Sequence, residues 1–120
     1  MRKILIIDDK EAIAKVIANY FKDEYDCIYC ENPLKGIQWL ESNPIPDLIL
    51  LDLRMPLMTG EEFLGYIKKN ELFKSVPIVV LSSEDSSSIR IRLLEHGAED
   101  FILKPFNPME LKVRLKKILK

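Results

Sequence analysis

Several residues able to do chemistry stand directly after apolar runs in this sequence. Asp8 and Asp9 follow Ile4 to Ile7, Asp52 follows Leu48 to Leu51, Ser82 and Ser83 follow Ile78 to Leu81, and Lys104 follows Phe101 to Leu103. Carboxylates brought together repel one another and favour a hard cation such as Mg²⁺, which takes oxygen ligands and shares them readily with phosphate. A carboxylate can also attack phosphorus, giving an aspartyl phosphate. A serine hydroxyl donating to one phosphoryl oxygen and a lysine neutralising another would supply the positioning and charge stabilisation that phosphoryl transfer mainly requires. Singly, each residue has a plainer use: Asp52 in a turn or cap, Ser82 as the N-cap of the next helix, Lys104 as a solvated lysine at a strand end. The chemistry therefore depends on whether the fold gathers them.

The elements that would do so are legible from periodicity. Lys3 to Ile7 reads as a buried strand (β1), followed by helical spacing of Ala12, Ile13, Val16, Ile17, Tyr20 and Phe21 (α1). Asp26 to Cys30 is a second strand (β2), and Asn32 with Pro33 opens a helix (α2) whose inner face is Leu34, Ile37 and Leu40. Leu48 to Asp52 is an apolar run broken at Pro56 and Gly60, the pattern of a parallel strand buried on both faces (β3). Thr59 and Glu62 form a capping box for the next helix (α3), with Phe63, Leu64 and Ile67 inward. Pro77 to Leu81 is the fourth strand (β4). Between Glu84 and Gly97 lies a helix (α4) with Ile89, Leu93 and Leu94 at helical spacing. Asp100 to Lys104 is the fifth strand (β5), and Asn107, Pro108 and Glu110 start a last helix (α5) lined by Leu111, Leu115, Ile118 and Leu119.

Strands alternating with helices in this way predict a single α/β domain over 1–120, a doubly wound (βα)5 unit with a parallel sheet and helices on both faces. Right-handed crossovers bring every strand's carboxyl end to one edge, so Asp8, Asp9, Asp52, Ser82 and Lys104 should converge there.

Composition narrows the function classes. With 18 basic and 19 acidic residues in 120, the chain lacks the basic excess of a nucleic-acid binder, so no direct nucleic-acid contact is expected. The apolar runs are too short for a membrane span and no signal-peptide pattern opens the chain, which places it in the cytoplasm. Cys27 and Cys30 form a C-x-x-C, but on a strand residues three apart point to opposite faces and cannot bridge. His96, in the last turn of α4, is read as a partner of free helix carbonyls with no phosphorelay role. Lys112, Arg114, Lys116, Lys117 and Lys120 form the wet face of α5, and Met55 and Met58 fill gaps beside the site.

Asp8-Asp9 after β1, Asp52-Leu-Arg-Met-Pro with Gly60, Ser82-Ser83 after β4, and Gly97-Ala-Glu-Asp-Phe-Ile-Leu-Lys104-Pro-Phe together resemble the response-regulator receiver domain of two-component signalling, over about Lys3 to Leu119. The resemblance implies a flavodoxin-like sheet in the order 2-1-3-4-5, with its switch point between Asp9 and Asp52; a family member is a standard example of that order. By position, Asp52 is similar to the phosphoacceptor. Asp9 and Asp52 resemble the direct Mg²⁺ ligands, with Asp8 assisting and the backbone carbonyl of Arg54 as third protein ligand. Ser82 is similar to the switch hydroxyl, Lys104 to the phosphate-contacting lysine, and Phe101 to the aromatic switch residue, here without a tyrosine's hydroxyl. The resemblance also implies a cis Lys104–Pro105 bond. Arg54 and Glu84, each two residues beyond a site residue, would flank the phosphoryl group and gate water.

The partners so implied are a sensor histidine kinase or a histidine phosphotransfer protein as donor, and a downstream target or output domain reached through α4, β5 and α5. Phosphorylation would draw Ser82 inward and let Phe101 turn from a partly exposed to a buried rotamer. A phosphorylation-dependent homodimer through the same surface is a further expectation. Such a protein assists its own phosphorylation and is no enzyme toward small molecules. A Mg²⁺-dependent phosphohydrolase would want a second acid two residues beyond its nucleophile, where this chain has Arg54. An FMN-binding relative would need a Gly/Ser/Thr-rich phosphate cradle after β1, where this chain has Asp8, Asp9 and Glu11.

Overall fold

A computed structural model describes residues Met1 to Lys120. The strands are β1 (Arg2–Ile7), β2 (Tyr25–Cys30), β3 (Leu48–Asp52), β4 (Ile78–Ser82) and β5 (Asp100–Leu103). They alternate with helices α1 (Glu11–Phe21), α2 (Pro33–Ser42), α3 (Gly60–Lys69), α4 (Ser87–Glu95) and α5 (Pro108–Ile118). All neighbouring strands pair in parallel, in the order β2-β1-β3-β4-β5. β3 and β4 are buried at every residue, as central parallel strands covered on both sides must be.

The sheet separates two apolar cores because alternate strand residues point to opposite faces. Leu5, Ile7, Ile49, Leu51, Val80 and Phe101 meet Leu40, Phe63, Ile67 and Leu93 from α2, α3 and α4. Ile4, Ile6, Leu48, Leu50, Val79 and Ile102 meet Ile17, Phe21, Leu111 and Leu115 from α1 and α5. Cys30 belongs to the first core and Cys27 packs against the second, so the two thiols are free and lie on opposite faces. Burial pushes the Cys27 thiol up to about 11, a value that keeps it protonated and unreactive.

The expected caps are present. Asn32 accepts from the Lys35 amide, Asn107 accepts from the Met109 and Glu110 amides, and Thr59 and Glu62 make the reciprocal capping box. Several inner faces differ from the expectation. On α1 the buried residues are Ala14, Ile17 and Phe21, while Val16 and Tyr20 are exposed. Leu34 on α2 and Leu94 on α4 also face out, and Leu93 is the only buried residue of α4. α5 is more than a wet face, since Lys112 and Lys116 both reach Glu24 and Arg114 reaches Asp100. No helix is long and apolar enough to cross a membrane.

Candidate functional site

The strand ends deliver their polar residues to one edge. Ile7 of β1 pairs with Leu51 of β3, Asp52 with Leu81 of β4, and Ser82 with Leu103 of β5, so Asp8, Asp52, Ser82 and Lys104 emerge side by side. The Asp8 amide donates to the Cys30 carbonyl at 3.2 Å, and the Lys104 amide to the Ser82 carbonyl at 2.8 Å, which fixes both strand exits. The Lys104–Pro105 bond is cis, as the resemblance implies.

Asp8, Asp9 and Asp52 each offer a carboxylate oxygen within 4.8 Å of the others. Asp8 and Asp52 are only 1% and 8% exposed, whereas Asp9 is exposed. Lys104 Nζ bridges the two buried acids, 2.9 Å from Asp8 Oδ2 and 3.3 Å from Asp52 Oδ1. Burial pushes the Asp52 carboxyl above its ordinary value, helped by the Asp8 and Asp9 charges and opposed by Lys104. Burial works to lower the Lys104 amine, but its bond to Asp8 and the charges of Asp52 and Asp8 outweigh that and hold it above the ordinary lysine value. A set of carboxylate oxygens, two of them desolvated and mutually repelling, suits a hard divalent cation.

Ser82 is 2% exposed, and its Oγ accepts from the Glu84 amide at 3.0 Å. It does not cap α4; Ser86 does, accepting from the Ile89 amide. Arg54 and Glu84, expected to flank the entrance, form an ion pair with each other, with Arg54 largely in solvent. Phe101 departs from its expected starting position. Its ring is already buried, at 6% exposure, because β5 aims it into the core shared with Leu93 of α4.

Beside the acids opens a cavity of about 550 Å³ lined by Asp9, Arg54, Met55, Pro56, Glu84 and Arg92, among others. Along it lies an ion pair that sequence reasoning missed. Arg92 of α4 grips Glu61 of α3 with both Nε and a terminal nitrogen, at 2.8 and 3.0 Å, and His96 Nδ1 lies 3.9 Å from the same carboxylate. His96 therefore has Glu61 as its side-chain neighbour in place of the expected helix carbonyls. Nothing in the sequence signals a pair on two separate helices.

A family model for the response regulator receiver domain matches residues 4–116. The phosphate regulon transcriptional regulatory protein PhoB of Pseudomonas aeruginosa is 38% identical over 120 residues, covering 99% of this chain and 52% of that protein. Histidine kinase P4 of Formosa agariphila is 35% identical over 116 residues, 97% of this chain and 8% of the kinase. The chain thus spans about half the length of the first relative and a small part of the second. Among solved structures, the chemotaxis protein CheY4 of Vibrio cholerae superposes with a TM-score of 0.90 at 28% identity, over 99% of each chain.

Proposed function

The chain belongs to the response regulator receiver domain family, and on that premise we propose that Asp52 accepts a phosphoryl group, with Mg²⁺, from a phosphohistidine in a sensor kinase or phosphotransfer protein. The observation that carries this reading is the bridge from Lys104 to Asp8 and Asp52 beside Asp9, one cation and three carboxylates at a single strand edge. Asp8, Asp9, Asp52 and the Arg54 backbone carbonyl would hold the Mg²⁺. When bound, it offsets the negative charge that the acids and the incoming phosphoryl group bring together.

The remaining steps fall to the chain's own residues. An Asp52 oxygen attacks phosphorus, the phosphorus–nitrogen bond of the donor breaks, and its electron pair returns to the imidazole. Lys104 pairs with phosphoryl oxygen as negative charge builds, and the Ser82 hydroxyl donates to another such oxygen once it turns toward it. The protein turns over no small-molecule substrate in this reading.

The added phosphoryl carries roughly −1.5 to −2 charges, enough to draw Ser82 and the segment before α4 toward the site. α4 is poised to follow, since Leu93 is its one fully buried residue and only the half-buried Ile89 joins it against the core. Phe101 packs in the same core cluster as Leu93, so movement of α4 repacks the ring and alters the surface of α4, β5 and α5. That surface is where a target, an output domain or a second phosphorylated copy would bind.

The test is labelling with phosphoramidate followed by peptide mass spectrometry. Asp52 is expected to carry the label, only with Mg²⁺ present; label retained in Asp52→Asn, or unaffected by chelation, would remove the assignment.

A further inference from the structure

The last turn of α3 carries an amine that the phosphoryl chemistry does not use. Among the half-buried lysines, Lys3, Lys104 and Lys112 each hold a carboxylate, whereas Lys68 holds none. Its Nζ donates instead to two main-chain carbonyls in the segment before β4, that of Val76 at 3.3 Å and that of Lys74 at 3.4 Å. The stem is held as well. A Cβ built on Gly97 would stand 3.1 to 3.2 Å from Lys68 Cε, Cδ and Cγ, so the hydrocarbon chain lies flat on that glycine. Gly97 has φ +109°, a conformation that leaves the surface under the stem bare of any side chain.

Two carbonyls are a poor setting for an ammonium group. It has three protons to place, and desolvation penalises its charge unless an anion offsets it. A neutral amine can donate to both carbonyls and still keep its lone pair. Burial accordingly holds the Lys68 amine below the ordinary lysine value, against the pull of the Glu99 charge. A desolvated lysine without a counter-ion is a nucleophile at neutral pH.

Beside the amine lies a cavity of about 290 Å³ lined by Glu61, Gly65, Lys68, Lys69 and His96. The Glu61 charge is already engaged by Arg92, so Lys69 and the imidazole leave the cavity receptive to a small anion. Gly65 keeps one wall low, since a Cβ built on it meets nothing within 4 Å. We propose that Lys68 is a modification site, acylated at Nζ by small acyl phosphates that enter this cavity. The neutral Nζ attacks the acyl carbon and a carbon–nitrogen bond forms. The bond from that carbon to the bridging oxygen breaks, phosphate leaves with the electron pair, and the amine's surplus proton passes to it or to water. Lys69 offsets the charge of the departing phosphate. The inference goes beyond the phosphoacceptor reading: a carboxylate attacks such a molecule at phosphorus, an amine at carbon.

The experiment incubates the parent chain with acetyl phosphate and excess EDTA, and follows acetylation at every lysine by peptide mass spectrometry. Lys68 is expected to react at least about fivefold faster than Lys22 and Lys117, which are exposed and unpaired. Unfolding in guanidinium chloride should abolish that excess. Gly65→Glu sets a carboxylate three residues before Lys68 on the same helix, supplying the missing partner and repelling the reagent, while Gly65→Gln matches its length without the charge. Both replace a helix glycine with a better helix former, so both should fold, which circular dichroism checks. Lys68 acetylation should fall about fivefold in Gly65→Glu and stay within about twofold of the parent in Gly65→Gln. A parent rate at Lys68 no greater than at Lys22 and Lys117 overturns the proposal. So does an excess that persists in the unfolded chain, or one equal in the two Gly65 variants. A second incubation with Mg²⁺ separates the two readings: Lys68 acetylated with Asp52 unlabelled removes the phosphoacceptor role and leaves this one, and the reverse removes this one alone.

Discussion

Gly60 lies so close to the backbone of Asp52 that a Cβ built on it would stand 2.4 Å from the Asp52 carbonyl oxygen and 2.8 Å from Leu53 Cα. Both obstacles are main chain and cannot rotate away. The first residue of α3 thus holds the end of β3 in place, linking a helix start to the position of Asp52, the proposed phosphoacceptor.

Gly60→Ala must therefore push the strand end and the loop apart. A loss of roughly 1–3 kcal/mol in denaturant unfolding is expected from the overlap. Slower phosphoramidate labelling of Asp52 should accompany it. An alanine variant with parent stability would show that the approach is looser than it looks.

Lys104→Ala leaves Asp8 and Asp52 buried without their cation. Removing one partner from a buried pair leaves an uncompensated charge, and a cost of roughly 2–3 kcal/mol at neutral pH is expected. Because the Asp52 carboxyl sits above its ordinary value, it takes up a proton early on acidification, so the deficit should shrink as pH falls through that raised value. The parent's Lys104 contribution is complete below the ordinary lysine pKa and is lost as pH rises through the elevated folded value. The difference between the two proteins should therefore narrow at both extremes, which unfolding curves measured across pH will test.

Arg54 and Glu84 form an ion pair and both line the cavity beside Asp9, and on the proposed function they would hinder water from reaching the aspartyl phosphate. Exposed pairs are weak, so the effect should be modest: Arg54→Ala and Glu84→Ala are each expected to shorten the life of the aspartyl phosphate about two- to fivefold. The decay of label after removal of the donor measures this, and unchanged lifetimes in both variants would argue against a gate.

Ser82→Ala should still accept phosphate, because Asp52 and Lys104 are untouched. Its hydroxyl, now engaged by the Glu84 amide, is the group expected to turn toward the phosphoryl oxygens. With beryllofluoride as a phosphoryl mimic, amide shifts in the site loops should persist while those in α4, β5 and α5 fall to roughly half or less of the parent's. Full-sized shifts in those elements would assign the signal to another route.

Glu61→Gln tests the unforeseen grip on α4. Arg92 holds that carboxylate from a helix with a single buried residue, so the substitution should raise amide exchange within Ser87–Glu95 by roughly threefold. Exchange equal to the parent's would show that the apolar contacts of Leu93 and Ile89 suffice.

The sheet was legible because four-residue aliphatic runs such as Leu48 to Leu51 fit a strand buried on both faces and little else. Turn residues and caps mark the helices, and crossover handedness by itself brings the carboxylates together. Helix faces were less legible. In α1 almost every residue from Ala12 to Phe21 is apolar, so the periodicity defines a broad stripe, and only the positions of α5 and β2 decide that Ile17 goes in while Val16 and Tyr20 stay out. Leu57 carried no signal at all, since nothing in Met-Pro-Leu-Met marks a leucine for positive φ. The burial of Phe101 follows from how deeply β5 sits against α4, a packing depth that residue types do not encode.

The common direction of the strands has a further consequence. All site residues leave the sheet at the carboxyl ends, and α5, which starts there, runs back to the opposite edge, where β1 begins. Each central strand has five residues, so the two edges lie roughly 15 Å apart. The start of β1 and the end of α5 therefore lie across the sheet from Asp8, Asp52 and Lys104. The domain is therefore polarised along its strands: the three carboxylates, Ser82 and Lys104 crowd one edge, and the opposite edge carries none of them.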